Sequence, residues 1–377
     1  MEALTEQGQL LAKDQQRLDG YIEKVKERAS QFLGYPIAVD FNYDELLPLL
    51  RYPLNNVGDP TVESTYDLNS RSLELEVLGF FAELFRARPG EWWGYVTNGG
   101  SEGNLYGLYV ARELYPKAMV YYSEATHYSV QKNISLLNMP SIVIRTQPNG
   151  EIDYEDLNNT IKLNRHLPVI MVANIGTTMT EAKDDIVRIK NIFRENAITA
   201  SYIHCDAALT GSYAPFLKPR PPFDFQDGAD SVAISGHKFI GSPIPCGAVI
   251  VKKIYRDRIG REVQYIGTLD TTISGSRNGH SPVFLWYRIK QLGIEGLRRR
   301  ITESLELADY TLEKFKSIGV TAWKNENAIT VVFPQPSQNV IQKWQLATES
   351  GRSHILCMPG ISKETIDLLI ADMATSF

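Results

Sequence analysis

Between residues 92 and 252 the chain repeats one rhythm, and few folds can accommodate it. Short apolar runs, at Gly94–Thr97, Met119–Tyr122, Ile142–Arg145, Val169–Asn174, Tyr202–Asp206, Ser231–Ser235 and Ala248–Val251, alternate with stretches of helical period. The helical stretches include Glu102–Leu114, Tyr128–Leu137 and Ile186–Phe193. A strand that is apolar at successive positions needs cover on both faces, and helices between strands return the chain for parallel pairing. The rhythm therefore predicts an α/β fold, a mostly parallel sheet with helices on both faces. Ligands of such sheets sit beyond the carboxyl ends of the strands. Chemistry is sought there.

Outside this region the pattern changes. Leu11, Leu18, Ile22, Val25, Ala29 and Phe32 recur at helical spacing, which predicts an amphipathic first helix ending near Gly34-Tyr35-Pro36 and packing on another element or another subunit. After about residue 283 a long helical pattern leads through "GVTAW", "AITVVFP" and "SHILCMP" to a last helix, a smaller α+β unit. The expected division is residues 1–55 as an N-terminal helical segment, 56–282 as the large domain and 283–377 as the small one. The net charge of -5 argues against nucleic acid or an anionic membrane as the main partner. No window approaches 18 uninterrupted apolar residues, and the N-terminus lacks a basic start followed by an apolar core. Neither a membrane span nor a secretory leader is expected. The three cysteines, 205, 246 and 357, have no metal-type spacing, which predicts reduced thiols, a cytoplasmic setting and no metal site.

Four features stand in order at predicted strand ends. "TNGGSEGN" (97–104) is a glycine turn between a strand and a helix. Gly99, Gly100 and Ser101 there can cradle a phosphate on the helix N-terminus, or can simply make a tight turn. His127 in "SEATHYS" stands just past a strand, either as a structural hydrogen-bonder or as a flat ring that stacks on a planar ligand. Asp206 in "YIHCDAALTG" closes an apolar strand, as a helix cap or as a carboxylate buried against a positive group. Lys238 follows a strand within "AISGHKFIGSPIPCG", either as an exposed loop lysine or as an amine aimed into the site. "NIGTT" (174–178) adds hydroxyls at the same rim.

Together the four match the needs of pyridoxal 5'-phosphate. That cofactor takes a lysine for its aldehyde, an acid for its ring nitrogen and a site for a dianionic phosphate.

With these segments assembled, the chain resembles the group II pyridoxal-phosphate decarboxylases, most closely the short bacterial histidine decarboxylases. The resemblance runs through "YPIAVDFNYDELLPLLRYPLNNVGDP", "WGYVTNGGSEGN", "THYS", "QPNGEIDYEDL", "NIGTT", "DAAL", "SGHKFIGSPIPCG", "GSRNGH" and "WKNENAITVVFP", in family order. It implies decarboxylation of L-histidine to histamine and CO2 in an aminotransferase-like fold (type I), with a seven-stranded sheet, and a homodimer whose active site lies at the subunit interface. Lys238 would form the Schiff base, Asp206 would pair with the ring nitrogen, His127 would stack on the ring and Ala208 would lie against its other face. Gly100, Ser101, Ser235 and His237 would hold the phosphate, with Thr177 near the ring's polar substituents. Asn55, Asn56 and Asp59 match the segment that lines the substrate pocket.

Larger animal members carry a tyrosine on a mobile loop that helps protonate the substrate carbon. Here "YIGTLDTTISGSRNGH" (265–280) has no tyrosine between Gly267 and Ser274. Tyr265, His127 or a water are the candidate donors. Plant serine decarboxylases look similar over much of the same length, so serine or an aromatic amino acid is the alternative substrate. An aminotransferase is a further alternative, although Arg352 in "ESGRSH" does not resemble that class's carboxylate-binding motif. A carrier or regulator that keeps the cofactor without catalysis is the alternative from another class.

Overall fold

The computed structural model describes residues 10–63, 66–263 and 268–374. An N-terminal helix α1 (Ala12–Ala29) precedes α2 (Arg71–Leu84). The large sheet is then built from β1 (Trp92–Thr97), α3 (Gly100–Leu114), β2 (Met119–Ser123), α4 (Tyr128–Leu136), β3 (Ser141–Ile144), α5 (Tyr154–Leu163), β4 (Val169–Asn174), α6 (Ile186–Glu195), β5 (Ser201–Asp206), β6 (Ser231–Ser235) and β7 (Gly247–Lys252). A short helix α7 (Lys253–Ile259) and the hairpin β8 (Arg261–Val263) with β9 (Thr268–Asp270) follow. The long helix α8 (His280–Ser317) then leads to β10 (Thr330–Pro334), α9 (Gln338–Trp344), β11 (Ala347–Glu349), β12 (Arg352–Leu356) and α10 (Lys363–Met373).

The seven strands lie in the order β1-β7-β6-β5-β4-β2-β3. Only β7 runs against its neighbours, pairing antiparallel with β1 and β6. The expected mostly parallel sheet is what forms. Successive strand residues enter opposite cores, as a two-residue period requires. Val169, Met171 and Ala173 join the core beneath α2, α5 and α6, whereas Ile170 and Val172 join the one beneath α3 and α4. Each face of the sheet thus has its own helical layer, which explains why the strands read as continuous apolar runs. β10, β12 and β11 form a separate antiparallel sheet whose core includes residues of α8, α9 and α10.

The first helix departs from expectation. It ends at Ala29, and none of its residues is buried. Its apolar stripe of Leu18, Ile22 and Val25 stays exposed, so none of the described elements covers it. Its C-terminal end is tied down by Arg28 donating to the carbonyls of Gln342 and Lys343.

Candidate active site

One edge of the large sheet collects the carboxyl ends of β1, β2, β4, β5 and β6. All four motifs sit on it. Thr97 ends β1, and Gly100 opens α3 with its N–H 3.1 Å from Ser235 Oγ at the end of β6. A Cβ on Gly100 would lie 2.8 Å from that hydroxyl and 3.1 Å from the Cβ of Ala208, so the glycine is what lets three segments converge. His237 lies alongside, its Cε1 within 3.5 Å of where a Cβ on Gly99 would stand. Its Nδ1 is 2.8 Å from the carbonyl oxygen of Cys246, which fixes the ring, and burial lowers its pKa. Gly100, Ala208, Ser235 and His237 therefore gather at a helix N-terminus, an arrangement suited to an anion, and Ser101 follows Gly100 there as an exposed residue.

Asp206 is the last residue of β5 and is buried. It accepts from Asn104 Nδ2 at 2.7 Å and from the Ala208 N–H at 3.1 Å. Lys238 stands in the single turn His237–Gly241 that follows β6. Its amine has no hydrogen-bond or ion-pair partner among the described residues, and burial holds its pKa below the ordinary lysine value against the opposing pull of Asp206. Burial also lowers the pKa of His127, again opposed by Asp206 and reinforced by Lys238. The three groups share one electrostatic environment. His127 caps α4 and keeps its Nδ1 2.8 Å from Ser129 Oγ.

Thr177 lies in the loop after β4, buried, with its hydroxyl 2.9 Å from that of Thr180 and accepting from the Ala182 N–H. The proposed substrate-side residues are less alike. Asn55 is tied to the segment before α8, bridging Asn278 and bonding Ser276 Oγ at 3.1 Å. Asn56 is wholly buried between Glu74 and Ser70. Asp59 is wholly buried as well, ion-paired with Arg256 and accepting from Trp93 Nε1 at 3.1 Å. Their side chains are spent on the protomer's own structure. Tyr265 lies outside the described residues. Two surface concavities, of about 270 and 860 Å³, are lined by Asp40, Arg300 and Lys363 and by Arg86, Phe225 and Lys252, and neither includes a predicted site residue.

Sequence reasoning missed Asn104 and His204. Asn104 belongs to the "NGGSEGN" turn, and His204 stands two positions before Asp206 on the same strand. That spacing placed His204 on the face of Asp206, a signal available from the sequence.

The residues fit pyridoxal phosphate on the structure's own terms. A half-buried amine with no partner among the described residues, a buried carboxylate and an anion cradle occupy one sheet edge, and the Gly100 cradle is one that a side chain would fill. No cluster of metal-ligating side chains occurs among the described residues.

Comparison with known proteins agrees. The pyridoxal-dependent decarboxylase conserved domain matches residues 72–333. A histidine decarboxylase of Mesorhizobium japonicum is 50% identical over 357 residues, 95% of this chain and 96% of that protein. One of Morganella morganii is 45% identical over 367 residues, 97% of each. Among solved structures, L-methionine decarboxylase from Streptomyces sp. 590 superposes with a TM-score of 0.88 at 27% identity, covering 100% of this chain and 98% of that one.

Proposed function

The chain belongs to the pyridoxal-dependent decarboxylase family, and from that membership we propose that it removes the α-carboxylate of L-histidine as CO2 and releases histamine. The observation that carries the proposal is the convergence of Lys238, Asp206 and His127 on one sheet edge, in a chain matching histidine decarboxylases over nearly its whole length. When bound, pyridoxal phosphate supplies a conjugated ring that accepts the electron pair freed as the bond from Cα to the carboxylate breaks.

The chain's residues divide the remaining work. Lys238 Nζ, its neutral form favoured by burial, would attach the cofactor through its aldehyde. Asp206 would hold a proton at the ring nitrogen. His127 would cover one face of the ring and Ala208 the other. Gly100, Ser101, Ser235 and His237 would hold the phosphate, and Thr177 would border the ring's polar edge. A preorganised carboxylate at the ring nitrogen stabilises charge that develops only as the bond breaks. Proton delivery to Cα falls to Tyr265, His127 or a water. Of the substrate-side residues, only Asn55 is not wholly buried, and it is the one carried forward as a contact of the substrate.

The same proposal includes a homodimer that completes the site. The exposed stripe of α1 supports it. The large domain is taken as 56–282 and the small one as 283–377, with 1–55 packing on the partner. A cytoplasmic setting fits three cysteines that are all free and buried, and no described helix is long and apolar enough to cross a membrane.

The test is CO2 release from each common amino acid by the purified, cofactor-loaded protein. Release from histidine and from no other amino acid at a comparable rate is expected. Release from serine, methionine or an aromatic amino acid instead would keep the reaction and replace the substrate. Conversion of the cofactor to its amine form without CO2 would favour an aminotransferase.

A further inference from the structure

His204 is a completely buried histidine that none of the roles above employs. It lies two residues before Asp206 on β5, so both side chains project toward α3. Its Nδ1 is 2.7 Å from Ser231 Oγ and its Nε2 is 2.9 Å from Asn104 Oδ1. Asn104 in turn donates Nδ2 to Asp206 Oδ2 at 2.7 Å. The fold has made room for this ring. A Cβ on Gly107 of α3 would lie 2.2 Å from His204 Nδ1 and 2.5 Å from Cε1, so any other residue at 107 would displace the imidazole.

The direction of the chain of bonds follows from which atoms can donate. An ionised carboxylate only accepts, so the Asn104 nitrogen must face Asp206 and its oxygen must face His204. An amide oxygen also only accepts, so His204 carries its hydrogen on Nε2. Nδ1 is then a lone pair, which the Ser231 hydroxyl satisfies. Burial holds the pKa of His204 down at about 4, with Asp206 the charged group that opposes this, so the ring is neutral near pH 7 and has one hydrogen to give. Rotating the amide would set oxygen against the carboxylate and N–H against N–H.

We infer that Asn104 and His204 are positioning residues for Asp206, the imidazole locking the Asn104 amide so that the carboxylate stays hydrogen-bonded and ionised toward the cofactor's ring nitrogen. This rests on Asp206 being the partner of that nitrogen. Held by the Asn104 N–H, the carboxylate keeps one fixed orientation, in which it can accept the ring N–H. With the lock gone, the amide turns its oxygen onto the carboxylate, Asp206 is no longer held toward the ring nitrogen and the ring loses its proton.

Two variants of similar size separate this from packing. His204→Gln keeps an N–H donor within reach of Asn104, and His204→Leu removes it. Each protein is loaded with pyridoxal phosphate carrying 15N in the ring, and the ring-nitrogen resonance reads its protonation while CO2 release gives kcat and KM. His204→Gln is expected to keep the ring protonated, with kcat within about threefold of the parent. His204→Leu is expected to shift the resonance toward the unprotonated position and to lower kcat by roughly 10- to 100-fold, with KM little changed. A leucine variant with a protonated ring and parental kcat overturns the inference, as does a glutamine variant impaired to the same degree as leucine. If the leucine protein does not fold, a neutron diffraction map of the unmodified holoenzyme decides. Hydrogen on Nε2 with the Asn104 N–H aimed at Asp206 supports the inference, and hydrogen on Nδ1 or a reversed amide overturns it. Failure of the unmodified protein to release CO2 from histidine would overturn the substrate reading and leave these protonation results standing.

Discussion

His204 and Lys238 are both basic groups held in the interior, and burial penalises the charged form of each. For Lys238 that penalty serves chemistry, because a neutral amine is the reactive one. For His204 it has a consequence for stability. The folded pKa of about 4 lies below the ordinary 6.5, so in acid the unfolded chain binds a proton that the folded one does not. Stability from this group is therefore complete above about pH 6.5 and declines as pH falls toward 4, by about 2 kcal/mol between pH 7 and pH 5. Asp184 acts in the opposite sense over the same range, its pKa pushed up to about 7 by complete burial. The effect of His204 must accordingly be read as a difference between proteins. Urea unfolding at pH 7 and pH 5 is expected to show a smaller acid loss for His204→Gln than for the parent. Equal losses would mean that His204 is not the buried neutral ring described here. The sequence announced Lys238 and Asp206 through the small residues around them. The two-residue step from His204 to Asp206 marks a shared strand face, but nothing local marks the bond from that strand to Asn104 on a helix about 100 residues earlier.

At the scale of elements, the loop between β4 and α6 joins the two sheets. Glu181 adopts φ 55°, a left-handed conformation uncommon for a residue other than glycine, and is wholly buried. Its carboxylate accepts from Tyr213 Oη, from the Ile329 and Thr330 N–H groups and from the Thr330 hydroxyl. The same loop is gripped by Asn325 Nδ2 on the Thr180 carbonyl, and His354 Nδ1 is 3.2 Å from the Met179 carbonyl oxygen. Thr177 thus lies in a loop fastened to the smaller sheet. Glu181→Ala strands several buried donors and is expected to cost about 3–5 kcal/mol. Hydrogen exchange should accelerate at the amides of Ile329 and Thr330 before it does in the large sheet. Unchanged protection there would show that other contacts carry the junction. The strands were legible in sequence to within one or two residues because their apolar runs are continuous. This junction was not, since "TTMTEAKDD" gives no hint that its glutamate meets a strand about 150 residues later.

At the scale of the whole molecule, α1 presents Leu18, Ile22 and Val25 on one face, each between 43 and 47% exposed. Apolar residues three and four apart on a helix with nothing buried call for a partner. If α1 lies in the proposed dimer interface, replacing all three with aspartate is expected to shift the sedimenting species from dimer to monomer and to abolish most CO2 release. The parental mass and activity in that variant would remove α1 from the interface.

The sequence by itself determined the layered α/β architecture and the edge at which chemistry gathers, because apolar period and short turn motifs are local properties, and its motifs in order carried the resemblance to the family. Tertiary structure alone decided which candidates meet. It brought Gly100, Ala208 and Ser235 from three segments into one cradle, and it set Lys238 and His127 in the field of Asp206. It also turned Asn56 and Asp59 inward onto Glu74, Ser70, Trp93 and Arg256. Side-chain direction and burial depend on residues far apart in the chain, and only packing brings those together.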